Sequence, residues 1–68
     1  MSQWIKCSER MPPLGWFICY NTDIREVAEH FYDPVKNTFK YTNYEGENVV
    51  DAEYITHWQP LPEPPEDA

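Results

Sequence analysis

The chain has 68 residues, a formal net charge of -7 and an aromatic content of 16%, from three Trp, five Tyr and three Phe. A chain of this size makes one domain at most, and so many large rings, each burying roughly 150–250 Å², argue against disorder over residues 4–62. The acidity weighs against direct binding to nucleic acid or to an anionic membrane, and no apolar run reaches the length of a membrane span.

Trp4 to Cys7 is short and apolar and reads as a strand. Ser8-Glu9-Arg10-Met11 fits one helical turn, halted by Pro12-Pro13, and Leu14-Gly15 turns the chain. Trp16 to Tyr20 is a five-residue aromatic and aliphatic run with turn residues on both sides, which favours a buried strand. Asn21-Thr22-Asp23 is a turn signal. Residues 24–33 alternate, with Val27, Glu29 and Phe31 on one face and Ala28, His30 and Tyr32 on the other. Ile24 to Phe31 would also suit a helix, but the five-residue loop Asp33-Pro34-Val35-Lys36-Asn37 and the renewed alternation of Thr38 to Thr42 favour a hairpin. Asn43 to Asn48 reads as a polar loop and Val49-Val50 as a short strand or a lead-in. Tyr54 to Trp58 alternates as a last strand, with Tyr54, Thr56 and Trp58 against Ile55 and His57. Four of the seven prolines follow in residues 59–68, where an extended tail is expected.

These elements predict a mainly β fold. It is a small single-layer or barrel-like antiparallel sheet of four to five strands, with one short helical turn and a Pro-rich C-terminal tail. One domain is expected over residues 1–62, and residues 63–68 form an acidic, mobile tail. The expected core is aromatic: Trp4, Phe17, Tyr20, Phe31, Phe39 and Trp58.

The charge is one-sided. Through Thr42, five basic residues offset Glu9, Asp23, Glu26, Glu29 and Asp33; beyond it there is no Lys or Arg, and Glu45, Glu47, Asp51, Glu53, Glu63, Glu66 and Asp67 carry the excess. Glu45, Glu47, Asp51 and Glu53 lie between predicted strands, where they can form a fixed field, and so are the candidate partner-binding residues. Their bland alternative is a solvated face that keeps a small protein soluble.

No catalytic or cofactor set stands out. Cys7, Cys19, His30 and His57 include no pair at the two-to-five-residue spacing usual for structural zinc, so no metal and no cofactor are expected. Nothing marks either thiol as activated, and Cys19 between Ile18 and Tyr20 reads as core. Met1 to Arg10 lacks a signal region, which favours a reducing cytoplasm and two free thiols.

Both ends of the chain carry a recognisable pattern. Trp4-Ile5, Glu9-Arg10, Pro12 and Gly15 open it, and Thr56-His57-Trp58, Pro60-Leu61-Pro62 and Pro64-Pro65 close it. The chain thereby resembles a small family of tailed bacteriophages and prophages known as the domain of unknown function five-five-one. That family often has Met where Gln59 stands here. The resemblance implies a phage or prophage origin and an accessory role inside a bacterial host, and it brings no activity with it.

Two functions are therefore open. In the first, a non-enzymatic accessory protein binds a host protein with a basic surface through its acidic side, as an inhibitor of a host defence or nucleic-acid-binding factor. In the second, a small-molecule-binding module or minor enzyme uses an aromatic pocket. Self-association into a homo-oligomer is compatible with either.

Overall fold

Three hairpin turns share one local chemistry, and they set the course of the chain. In each, an Asx side chain accepts hydrogen bonds from the backbone just ahead of it. Asn21 Oδ1 accepts from the N–H groups of Asp23 (2.8 Å) and Ile24 (3.4 Å). Asp33 Oδ1 accepts from Val35 and Lys36, and Asn43 Oδ1 from Glu45. Each turn ends on a residue with positive φ: Arg25 (58°), Asn37 (56°) and Gly46 (113°).

The computed structural model describes residues 3–62. It contains β1 (Ile5–Lys6), β2 (Gly15–Asn21), β3 (Glu26–Asp33), β4 (Thr38–Asn43), β5 (Gly46–Asp51), a 3-10 helix (Ala52–Tyr54) and β6 (Ile55–Pro60). All pairings are antiparallel, and the strand order is β1-β6-β2-β3-β4-β5. The mainly β, single-sheet fold expected from the alternation is present, with six strands in place of four or five. The proposed tail, residues 63–68, lies outside the described residues.

The step from β5 to β6 shapes the sheet. Asp51 pairs with Thr38 and thus lies near Asp33, whereas Ile55 pairs with Asn21 and lies near Glu26, at the opposite end of β3. Laid flat, these points would be about 19 Å apart across the strands and about 23 Å apart along them. The backbone from Asp51 to Ile55 spans about 14 Å at full stretch. The sheet therefore curls until diagonal corners meet, and backbone bonds hold the seam: Ala52 N–H to Asn37 O (3.1 Å) and Thr22 N–H to Tyr54 O (2.8 Å).

Curling encloses one face. Its core is Cys19, Tyr32, Phe39, Tyr41, Val50, Ala52, Ile55 and Trp58, with Ile5, Cys7, Phe17 and Ile24 packed against it. The segment between β1 and β2 crosses the edge of this core with Pro12 buried. The Trp58 indole N–H donates to Arg10 O at 2.8 Å, the Arg10 guanidinium lies 5.8 Å from the ring centroid, and the Phe17 ring meets Trp58 edge-on at 5.0 Å.

A polar pair sits among these rings. Asn21 and His30 are both 0% exposed. His30 Nδ1 lies 2.9 Å from Ala28 O and so carries the proton, which leaves Nε2 to accept from Asn21 Nδ2 at 3.2 Å. The ring stacks at a tilt on Tyr41 (5.0 Å) and meets Phe39 edge-on (6.4 Å). Both of its nitrogens have partners, so the neutral ring is accommodated in the core.

Several expectations are corrected. Phe39 and Trp58 are core residues, and Phe17 packs on the core, but Phe31 is not part of it: β3 buries the His30–Tyr32 face. Trp4 and Tyr20 are half-buried and lie outside the core. The polar loop expected over Asn43 to Asn48 is a tight turn, because the Asn43 cap and Gly46 reverse the chain within two residues. Residues 24 and 25 belong to the turn before β3, and the turn expected at Ser8–Met11 begins a residue earlier, with Glu9 and Arg10 N–H both bonded to Lys6 O. Tyr54 is in the 3-10 helix. In β6 the register shifts between Tyr20/His57 and Asn21/Ile55, so that Thr56 bulges out and Ile55 joins Trp58 on the inner face.

Trp58→Ala should cost about 3–5 kcal/mol, enough to abolish a cooperative melt in a domain of this size. Trp58→Phe should cost less but strand the Arg10 carbonyl, at about 1–3 kcal/mol. Thermal melts followed by circular dichroism test both, and a cooperative Trp58→Ala melt near the wild-type midpoint would disprove the packing role.

Burial holds the His30 imidazole below its ordinary value of 6.5, against a smaller opposing effect of its bond to Ala28. The unfolded chain takes up a proton near that value and the native protein refuses it. Stability from this site is thus complete above about pH 6.5 and declines as the pH falls below it, by at most about 1.4 kcal/mol per unit. Melting midpoints between pH 7.5 and 5 should drop accordingly in the wild type and in His57→Gln. A flat profile, or one flattened by His57→Gln, would contradict this.

Candidate functional site

Register assigns the other side chains to the outer face. Residues paired across an antiparallel sheet point the same way, so one row runs Trp16, Phe31, Lys40, Val49 and another runs Lys6, His57, Tyr20, Val27. Ile18 sits between them, paired with Glu29 and Gln59. No second layer covers this face among the described residues. Trp16 is 45% exposed, Val27 57% and Val49 62%.

The rows are ordered by ring contacts. Trp16 meets Phe31 edge-on at 5.3 Å, and Lys40 Nζ lies 5.5 Å from the Phe31 centroid while it pairs with Glu47 at 3.4 Å. Trp4 meets His57 edge-on at 6.3 Å, and together with Tyr20 and Val27 they line a shallow hollow of about 260 Å³. A second, wider hollow of about 560 Å³ opens where the sheet corners meet, with Lys6, Cys7, Met11, Asn37 and Glu53 among its lining residues.

The four acidic candidates do not form one cluster. Glu47 and Asp51 lie on the outer face of β5, one on each side of Val49. Glu45 is in the turn before that strand, and Glu53 is in the 3-10 helix at the rim of the wider hollow. All four are exposed, and β5 is an edge strand. Only Glu47 has an ion-pair partner among the described residues.

The arrangement favours contact over acid–base chemistry. Burial, aided by the neighbouring Cys7, pushes the Cys19 thiol up to about 12, and its Sγ points at Phe17 O at 3.6 Å. Burial also raises the Cys7 thiol. His30 has both nitrogens committed inside the core, so it serves neither thiol as a base. Among the described residues, no three His, Cys, Asp or Glu side chains come together as a metal site.

Sequence reasoning missed the outer aromatic row. Alternation assigns Phe31 to the core because both faces of β3 carry rings, whereas Phe31 lies with Trp16 on the outer face. The face of β3 that turns inward is the one whose His30 meets the buried Asn21 amide, a non-local pairing that alternation does not reveal.

Comparison with known proteins agrees with the pattern at the two chain ends. The model of a family described as a protein of unknown function (DUF551) matches residues 3–66. An uncharacterized 7.8 kDa protein in the ral-gp17 intergenic region of Salmonella phage P22 is 38% identical over 69 residues, covering 93% of this chain and 96% of that protein. No solved structure matches the chain.

The raised thiols predict slow alkylation. With iodoacetamide at pH 8, native Cys19 should stay unmodified and Cys7 should react more slowly than a free cysteine, with both labelled rapidly in denaturant. Peptide mass mapping reads the result, and fast labelling of native Cys19 would show an activated thiol.

Proposed function

The chain belongs to the DUF551 family, and from that premise we propose that it is a phage accessory protein that binds a host protein in the bacterial cytoplasm through its acidic edge and outer face. It performs no chemistry of its own and needs no cofactor. One observation carries the reading: an outer face of exposed aromatic and aliphatic side chains interspersed with polar ones, uncovered among the described residues, runs up to an edge strand whose outward side chains are Glu47, Val49 and Asp51. A net charge of -7 repels phosphate and a second copy of itself alike, so the complementary surface is basic and belongs to another protein. A host defence or nucleic-acid-binding factor has such a surface. The aromatic hollow at Trp4 is smaller than the roughly 300–1,000 Å³ of small-molecule sites, and the wider hollow, which reaches that size, has His57 as the one aromatic ring in its lining, which ranks an aromatic ligand-binding module second.

Neutralising Glu45, Glu47, Asp51 and Glu53 to Gln and Asn should slow association with the captured host protein and flatten its salt dependence, while deletion of residues 66–68 should change little. Capture from host lysate identifies the target, and association rates at two salt concentrations then compare the three proteins. Equal rates for all of them would end the acidic-surface reading.

A further inference from the structure

The free edge at β5 has more than charge to offer. The Ala52 N–H bonds to Asn37 O, one step beyond the Thr38–Asp51 pair. In an antiparallel ladder bonded pairs alternate, so Ala52, Val50, Asn48 and Gly46 turn their backbone groups toward β4. Glu47, Val49 and Asp51 turn theirs away from the sheet, where no strand meets them among the described residues. The residues with outward backbone groups are thus the same three whose side chains read acid, apolar, acid on the outer face. The opposite edge, β1, has two residues and cannot seat a strand.

We propose that β5 receives an extended basic segment of the partner as an added antiparallel strand. The segment alternates basic, apolar, basic, with its cations against Asp51 and Glu47 and its apolar side chain on Val49. This deepens the host-binding reading and rests on it. Backbone bonds supply the attachment, and the outer-face side chains select the sequence. A second copy of β5 is the wrong occupant. Paired about Val49, it sets Glu47 against Asp51 of the second copy at both ends; paired about Asn48, it sets Asp51 against Glu45 of the second copy. Lys40 already occupies Glu47 in the free protein, so the incoming cation at Asp51 meets the less encumbered acid.

The probe is a blocked heptapeptide, Thr-Lys-Thr-Val-Thr-Lys-Thr, titrated into the isotopically labelled full chain at low salt. Chemical-shift changes should centre on the amides of Glu47, Val49 and Asp51. The same peptide N-methylated on its Val should bind about tenfold more weakly or worse, and a version with Glu for Lys should not bind. On the protein side, Val49→Pro removes one outward N–H that no internal bond uses, so it should keep the wild-type fold by circular dichroism and lose the peptide. The inference is overturned if the lysine peptide does not bind, if N-methylation leaves its affinity unchanged, or if the shifts map elsewhere. It is also overturned if Val49→Pro captures the host protein as well as wild type while neutralisation of the acids abolishes capture, an outcome that leaves the broader reading standing. Capture indifferent to all four acids ends the broader reading instead, and the peptide titration still decides the edge.

Discussion

Three residues of 3-10 helix between β5 and β6 impose the form of this molecule. A link so short cannot join corners of a flat sheet that are diagonally opposed, so the sheet has to curl. Curling gives a sheet that has no second layer among the described residues an inside. Cys19, Tyr32, Phe39, Val50, Ile55 and Trp58 come from five strands and meet only because the corners do. The same act leaves an outside on which Trp16, Val27 and Val49 stay open to water.

The enclosed face is not uniformly apolar, and its polar part serves the turns. Asn21 spends its carbonyl on the backbone of the first hairpin and its amide on His30, so one buried side chain couples turn geometry to core packing. The bulge at Thr56 works to the same end, since it brings Ile55 under the sheet beside Asn21. A core with this many directional demands is specific about register in a way that a purely aliphatic one would not be.

Much of this was legible in the sequence. Alternation over 24–33 and 38–42 with the Asp33–Asn37 loop between them located the central hairpin, and the patterns at the chain ends placed the family. What alternation left unresolved is which face of β3 lies inside, because Phe31 and Tyr32 are equally good core residues on hydrophobic grounds. The decision rests on the non-local pairing of Asn21 with His30. The bulge in β6 was invisible for a related reason: a period of two carries no mark of where it slips. The acidic residues of the second half were correctly seen as one-sided in sequence, but their division among a turn, an edge strand and a helical turn depends on where the strands begin. That depended on Gly46 and the Asn43 cap, in a stretch whose polarity suggests a loop.

The position of β6 has a consequence for how the molecule comes into being. Among the described residues, β6 is the last strand; it lies between β1 and β2 and is the only strand with which β1 pairs. A ribosome delivers β2 to β5 as successive hairpins that can close as they emerge, but β1 must wait until β6 has followed them. Until Trp58 arrives, Phe17 lacks its edge-on indole partner and the Arg10 carbonyl lacks its donor. β6 therefore adds to the open edge of a sheet already formed by β2 to β5 and only then offers β1 a partner, so a chain stopped before β6 keeps its hairpins while its first strand hangs free.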